Sequence, residues 1–211
     1  MKKLLIFDMD GTLVDSSDAI TNTINYVRSH FDLEPLEKTY LLENLNNPHI
    51  NSAEFFYNTS TFTKKQTELF EEHYYETCTY DLKLYDGIYE MLDMLKNDFK
   101  LSVATNANSL FAKKMLSHLE IEKFFKLIVG ADMVTKSKPH PDMILKTIED
   151  LQHDKQSILI GDSLKDLYAA QNAKIDAIVV NWGFTKHSDN DITTSKKLLE
   201  EIYAKSNNLS K

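Results

Sequence analysis

The chain has 211 residues, of which 42% are hydrophobic and 27% charged, the make-up of an ordinary globular protein with room for a sizeable core and a small second domain. A net charge of −8 with no Lys/Arg-rich run argues against nucleic acid or an anionic membrane as the main partner, while leaving room for a small anionic substrate. Cys78 is the only cysteine, so no intrachain disulfide can form and a reducing cytoplasm is the default expectation, with a monomer as the default state.

The opening MKKLLIF starts like a signal peptide, but its apolar run ends at Asp8, well short of a hydrophobic region of that kind. Leu4 to Phe7 reads instead as a strand buried on both faces of a parallel sheet. Gly11 supplies a sharp exit, and Asp8 and Asp10, two apart on an extended segment, are expected to share one site at the strand's end. Carboxylates that close need a cation or a shared proton, which points to a divalent metal and acid–base work. An EF-hand is excluded, because position twelve of such a loop would be Ala19.

From Ser16 to Phe31 the apolar residues Ile20, Ile24, Val27 and Phe31 mark one face of a helix. Residues from Leu36 to Cys78 continue helical, broken by the turn NLNNPH at 44–49, and no strand-like run falls between Val14 and Tyr80. A helical block is therefore inserted after the first turn, with hinges near 13–17 and 80–87. The expected division is a core of residues 1–15 and 82–211 and a helical domain of residues 16–81.

After Asp86-Gly87 opens a helix marked by Ile88, Leu92, Leu95 and Phe99, the pattern alternates. Strands are expected at Leu101–Thr105, Leu127–Gly130, Ser157–Gly161 and Ala177–Asn181. Helices are expected at Asn108–Leu119, Pro141–Leu151, Leu164–Ala173 and Ile192–Ala204, followed by a frayed tail, SNNLSK. Strands alternating with helices specify an α/β fold with a doubly wound parallel sheet, whose ligands bind beyond the carboxyl ends of the strands.

At those ends stand Asp8, Asp10, Thr105, Asn106, Lys138, Asp162 and Asp166. Each alone has a plain structural explanation: a strand-end polar residue, a turn, a solvated lysine. Ser163 and Asp166 also have capping-box spacing, so Asp166 suits both a cap and a support behind a metal ligand. Thr105 and Asn106 close a strand and open a helix, offering a hydroxyl and N–H groups to phosphate oxygens. Pro139 biases Lys138 toward an extended conformation outside the next helix, from which it can project a charge into a cleft.

Taken together, DMDGT, the Thr105 strand end, KPHPD and GDSLKD resemble, in order and spacing, the four motifs of the haloacid dehalogenase superfamily. The insert resembles its small helical cap, and the nearest likeness is to the phosphoglycolate phosphatase-like branch. The resemblance implies a Rossmann-like core and a Mg²⁺-dependent phosphatase acting on a small phosphorylated metabolite. Asp8 would be the nucleophile forming an aspartyl-phosphate, and Asp10 the general acid and base, its proton affinity raised by neighbouring carboxylates. Mg²⁺ would be held by Asp8, the Asp10 main-chain carbonyl and Asp162, with Asp166 behind, and Thr105, Asn106 and Lys138 would bind the phosphoryl group.

Two departures stand out. The cap lacks the arginine-plus-glycine pattern common in phosphoglycolate phosphatases, Arg28 being the only arginine, and Asn47, His49 and Lys65 are the candidates for substrate contact, each reading first as a surface residue. Lys174 stands where the family usually has glycine after a helix, which implies a strained cap or a different turn. Tyr85 and the Trp182-Gly183-Phe184 rings read as packing. The competing readings are a β-phosphoglucomutase-like sugar phosphomutase and, from a different class, a non-enzymatic phospho-acceptor receiver domain.

Overall fold

Strand β1 (Leu4–Phe7), every residue buried, lies at the centre of a five-stranded sheet in the structure, a computed structural model that describes residues 2–153, 156–186 and 191–208. Its parallel neighbours are β4 (Lys100–Ala104) on one side and β6 (Ser157–Gly161) on the other. The outer strands are β5 (Ile128–Val129) and β7 (Asp176–Val179), giving the order β5-β4-β1-β6-β7. The chain leaves β1 toward one edge and returns to the other, so the topological switch point falls at the carboxyl end of β1. That end is Asp8.

Alternate residues of β1 feed two apolar layers, as a strand's period of two requires. Leu5 and Phe7 join one cluster with Met91 and Leu92 of α5 (Ile88–Leu95), Phe111 and Met115 of α6 (Ser109–His118), and Leu198 of α9 (Ser195–Asn208). Leu4 and Ile6 join the other, with Met143 and Ile144 of α7 (Asp142–Asp150) and Ala169 and Ala170 of α8 (Leu164–Ala173). The alternating half of the chain therefore folds as a doubly wound α/β sheet, as expected.

Helices α1 (Ser17–Ser29), α2 (Lys38–Leu45), α3 (Ser52–Tyr57) and α4 (Lys64–Thr77) fill the stretch between β1 and the rest of the sheet. Local chemistry sets their starts. Asn51 accepts from Ala53 and Glu54 N–H groups, and Thr63 with Gln66 forms a full capping box. Ile20, Ile24 and Val27 of α1 are buried with Leu41, Phe56 and Leu69, and this apolar cluster is continuous with the one under the sheet. Arg28 is itself buried, donating to the Glu34 carbonyl at 2.7 Å and to that of Phe56, so it ties the loop after α1 to α3.

Several expected boundaries move. The first helix stops at Ser29, and Phe31 lies outside it, 36% exposed, ahead of Asp32 in a left-handed conformation. The two hinges are also more than loops: β2 (Val14–Asp15) and β3 (Lys83–Leu84) pair antiparallel, Val14 opposite Leu84 and Asp15 opposite Lys83. Way out and way back therefore run side by side, a long-range pairing that two-residue strands do not announce. β7 ends at Val179 rather than Asn181, and Pro141 precedes α7 instead of lying within it. The last helix starts at Ser195, after the Thr194 hydroxyl accepts from the Lys197 N–H. It continues through Asn208, so residues 206–208 of the expected tail are helical, while residues 209–211 lie outside the described residues.

Lys174 takes the left-handed conformation (φ 58°, ψ 45°) at the end of α8, its N–H donating to Ala170 and Gln171 carbonyls. The strained cap expected there is present. For an L-residue this conformation costs about 1–2 kcal/mol, which glycine avoids, less about 0.5–1 kcal/mol for the freer unfolded chain. Since Lys174 is exposed, Lys174→Gly is expected to raise stability by up to about 1 kcal/mol in urea unfolding; a loss of stability would contradict that account.

Candidate active site

Asp8 leaves the end of β1 buried, and Lys138 meets it there: Lys138 Nζ donates to Asp8 Oδ1 at 2.6 Å and to Asp166 Oδ1 at 2.7 Å. The lysine comes from the loop ahead of α7 and is 4% exposed. It lies in a turn outside α7, closed by the His140 N–H on the Ser137 carbonyl at 3.0 Å, and the Lys138–Pro139 peptide is cis. Its main chain is clamped by Asn106, whose Nδ2 donates to the Lys138 carbonyl and whose Oδ1 accepts the Lys138 N–H, both at 3.0 Å. The Asn106 side chain is thus engaged in aiming the lysine, while the group the sequence offers to phosphate there is the main-chain N–H.

Asp166 is held from its other side. Its Oδ2 accepts the Ser163 hydroxyl at 2.5 Å and the Ser163 N–H at 3.2 Å, while Ser163 caps the Asp166 N–H. The capping box expected at GDSLKD is formed, and it turns the free edge of Asp166 toward Lys138. Asp162 ends β6 with no exposure at all, its Oδ2 accepting the Phe184 N–H at 2.8 Å. A Cβ on Gly11 (φ 80°) or Gly183 would collide with the Asp162 carboxylate. Two glycines from distant stretches therefore leave space for the third acid against the first turn. The Trp182-Gly183-Phe184 stretch does more than pack: Phe184 positions Asp162, and Trp182 Nε1 donates to the Thr12 carbonyl at 3.1 Å.

Asp8, Asp162 and Asp166 each offer a carboxylate oxygen within 4.8 Å of the others. Asp10 stands apart from this trio. Its Oδ1 accepts the Ser16 hydroxyl at 2.5 Å and its Oδ2 lies 3.5 Å from Thr105 Oγ1, the outer limit of a hydrogen bond. The Asp10 carboxylate thus faces Ser16, just ahead of α1, and Thr105, at the end of β4. Ser16 was missed from sequence, where a serine just before a helix reads as a cap; here it makes no side-chain cap bond and serves Asp10.

The electrostatics follow from burial. Burial pushes the Asp8 carboxyl well above its ordinary range; Lys138 opposes this, and Asp166 and Asp162 add to it. Burial likewise raises Asp10, against the bonds from Ser16 and Thr105 and the charge of Lys138. The neighbouring carboxylates expected to raise Asp10 are not the cause; desolvation is. Asp162 is pushed up to about 7 by burial and then by Asp166, with the Phe184 N–H pulling the other way. Burial alone would lower Lys138, but Asp166 and Asp8 outweigh it and hold the ammonium charged.

Three buried carboxylates thus face one ammonium ion. The donors are all hard oxygens, and Lys138 engages only one oxygen of Asp8. That set suits a hard divalent cation such as Mg²⁺. Asn47, His49 and Lys65 gain no such support: His49 and Lys65 are exposed, and Asn47 Oδ1 accepts the His49 N–H in a local turn.

A profile of haloacid dehalogenase-like hydrolases matches residues 5–180. The chain belongs to that family, and it is a hydrolase of the phosphatase kind. It is 30% identical over 202 residues to a phosphoglycolate phosphatase of Colwellia psychrerythraea, covering 89% of this chain and 88% of the relative. A phosphoglycolate phosphatase of Agrobacterium fabrum is 32% identical over 201 residues, covering 88% and 83%. A crystal structure from Clostridium acetobutylicum, described as a predicted phosphatase, superposes with a TM-score of 0.84 at 26% identity, covering 97% of this chain and 99% of that one. The receiver-domain alternative falls with the family assignment. Among the described residues no helix is long and apolar enough to cross a membrane.

The raised acids couple metal, pH and stability. An Asp162 that unfolds to the ordinary value of 3.8 but holds its proton to about 7 when folded favours the folded state at low pH, and that advantage is lost as pH rises toward 7. Asp8 and Asp10 act in the same direction. In EDTA the melting temperature is expected to fall from about pH 5 to about pH 8, and saturating Mg²⁺ to restore more of it at the higher pH. An equal Mg²⁺ effect at both pH values, or none, would count against this cluster as the ion's site.

Proposed function

We propose that this phosphatase hydrolyses a small phosphate monoester, 2-phosphoglycolate being the leading candidate from its relatives' names, through an aspartyl-phosphate on Asp8. The observation that carries the reading is the division of labour between two buried carboxylates at the end of β1. Asp8 is paired through one oxygen with Lys138, leaving its second oxygen without a hydrogen bond among the described residues. Asp10 is held by Ser16 in surroundings that favour its protonated form. One is placed as a nucleophile and the other as a proton carrier.

In the first half-reaction an Asp8 oxygen attacks phosphorus, the ester bond breaks, and Asp10 gives its proton to the departing alkoxide. In the second, Asp10 takes a proton from water, the resulting hydroxide attacks the phosphorus, and Asp8 is released with inorganic phosphate. Lys138, the Thr105 hydroxyl and the Asn106 N–H are assigned to the phosphoryl oxygens, with Asn106 and Asp166 keeping Lys138 aimed. Asp8, Asp162 and the main-chain carbonyl of Asp10 would hold Mg²⁺, with Asp166 supporting from behind. When bound, the ion supplies fixed positive charge to the phosphoryl oxygens and keeps Asp8 ionised against its burial.

Residues 16–81 are read as a cap over this site, moving on the β2–β3 ribbon and limiting the access of bulk water. The partner is a small phosphorylated metabolite, acted on by a monomer in the cytoplasm.

Purified protein is expected to hydrolyse p-nitrophenyl phosphate with Mg²⁺, to stop in EDTA, and to lose turnover on Asp8→Asn. Asp10→Ala should lower kcat by roughly a hundred- to ten-thousandfold while the circular dichroism spectrum stays native. Retention of normal turnover in either variant would remove that residue from its role, and conversion of a glucose phosphate to an isomer would favour a mutase instead.

A further inference from the structure

We propose that Lys165 is a specificity-determining residue, its ammonium group receiving a second anionic group on the leaving-group side of the substrate. The inference rests on the phosphatase reading above and narrows it to phosphate monoesters with an acidic tail.

Lys165 sits in the first turn of α8, beside Asp166, and reaches out of the core. Its Nζ donates at 3.0 Å to the carbonyl of Leu45, the last residue of α2 and 120 positions away. The lysine therefore bridges core and helical block directly beside the acid cluster. Its charged neighbours are Lys138, Asp166 and Asp8, and both of those carboxylates are already bonded to Lys138. Among the described residues Lys165 makes no ion pair, and the Leu45 carbonyl is its one hydrogen-bond acceptor. A part-buried ammonium hydrogen-bonded only to a neutral carbonyl, with the nearest carboxylates held by Lys138, has no ion pair of its own. The carboxyl end of α2 offsets this in part, and two of its three N–H donors are left for a ligand.

In-line transfer fixes where such a ligand would lie. With Asp8 attacking, the leaving oxygen departs on the opposite side of phosphorus, away from β1 and toward the covering helices. Lys165 occupies that seam. Other cations of the helical block are committed or remote: Arg28 bonds the Glu34 and Phe56 carbonyls, Lys38 pairs with Asp18 at 2.8 Å, and Lys65 is exposed. A carboxylate or second phosphate on the substrate would supply the counter-ion that Lys165 lacks.

The test compares kcat and KM for 2-phosphoglycolate, pyrophosphate and the neutral-tailed 2-hydroxyethyl phosphate in wild type, Lys165→Met and Lys165→Arg. Wild type is expected to prefer an acidic-tailed substrate by about tenfold or more in kcat/KM, and Lys165→Met to lower that preference roughly ten- to a hundredfold, chiefly through KM. Lys165→Arg should recover most of it. Preference for 2-phosphoglycolate identifies the tail as a carboxylate, and preference for pyrophosphate as a phosphate. A neutral-tail preference in wild type, or an equal fall on all three substrates in Lys165→Met, overturns the assignment while leaving the phosphatase reading intact. Absence of turnover on these and on p-nitrophenyl phosphate defeats that reading and the anchor with it.

Discussion

The buried contact of Lys138 with Asp8 and Asp166 is the interaction on which the site depends. A carboxylate inside a protein is tolerated only with compensating charge and hydrogen bonds, and removing one partner of such a pair typically costs ~3–5 kcal/mol. Here a single ammonium serves two acids while Asp162 stands close by, so the compensation is incomplete. Burial raises the proton affinities of Asp8 and Asp162, and the neighbouring Asp166 carboxylate adds to it. A divalent ion would supply the positive charge that the cluster lacks. The acids are thereby suited to bind such an ion and poorly suited to stand without one.

Much of the surrounding structure serves to keep that contact in place. Asn106, at the end of β4, fixes the main chain of Lys138; Ser163, at the start of α8, fixes Asp166; Phe184, after β7, fixes Asp162. These supports come from different strands because a parallel sheet brings all its carboxyl ends to one side. Close approach then requires small residues, and Gly11 and Gly183 stand where any side chain would displace Asp162. The paired strands β2 and β3 return the chain beside its own exit, so a large insertion perturbs the sheet very little.

The helical block shows where this chain departs from what its motifs suggest. Its one arginine is consumed in joining the loop at Glu34 to α3 at Phe56. A positive charge at the seam with the helical block comes instead from α8, through Lys165 and its bond to the end of α2.

The alternating pattern after Gly87 and the buried run Leu4–Phe7 were enough to specify the doubly wound sheet, because burial on two faces and helix periodicity are local signals. Asp8, Thr105 and Asp162 were legible as strand-end residues for the same reason, Lys138 by the proline that follows it, and the Ser163–Asp166 cap by spacing alone. Orientation was not legible. That Asn106 clamps a lysine, that Arg28 reaches Phe56 and that Lys165 reaches α2 depend on contacts between segments far apart in the chain, and that Asp10 turns to Ser16 depends on the turn between them. Residue type and spacing say which groups arrive at a place; only packing in three dimensions decides which way each side chain faces and which neighbour satisfies it.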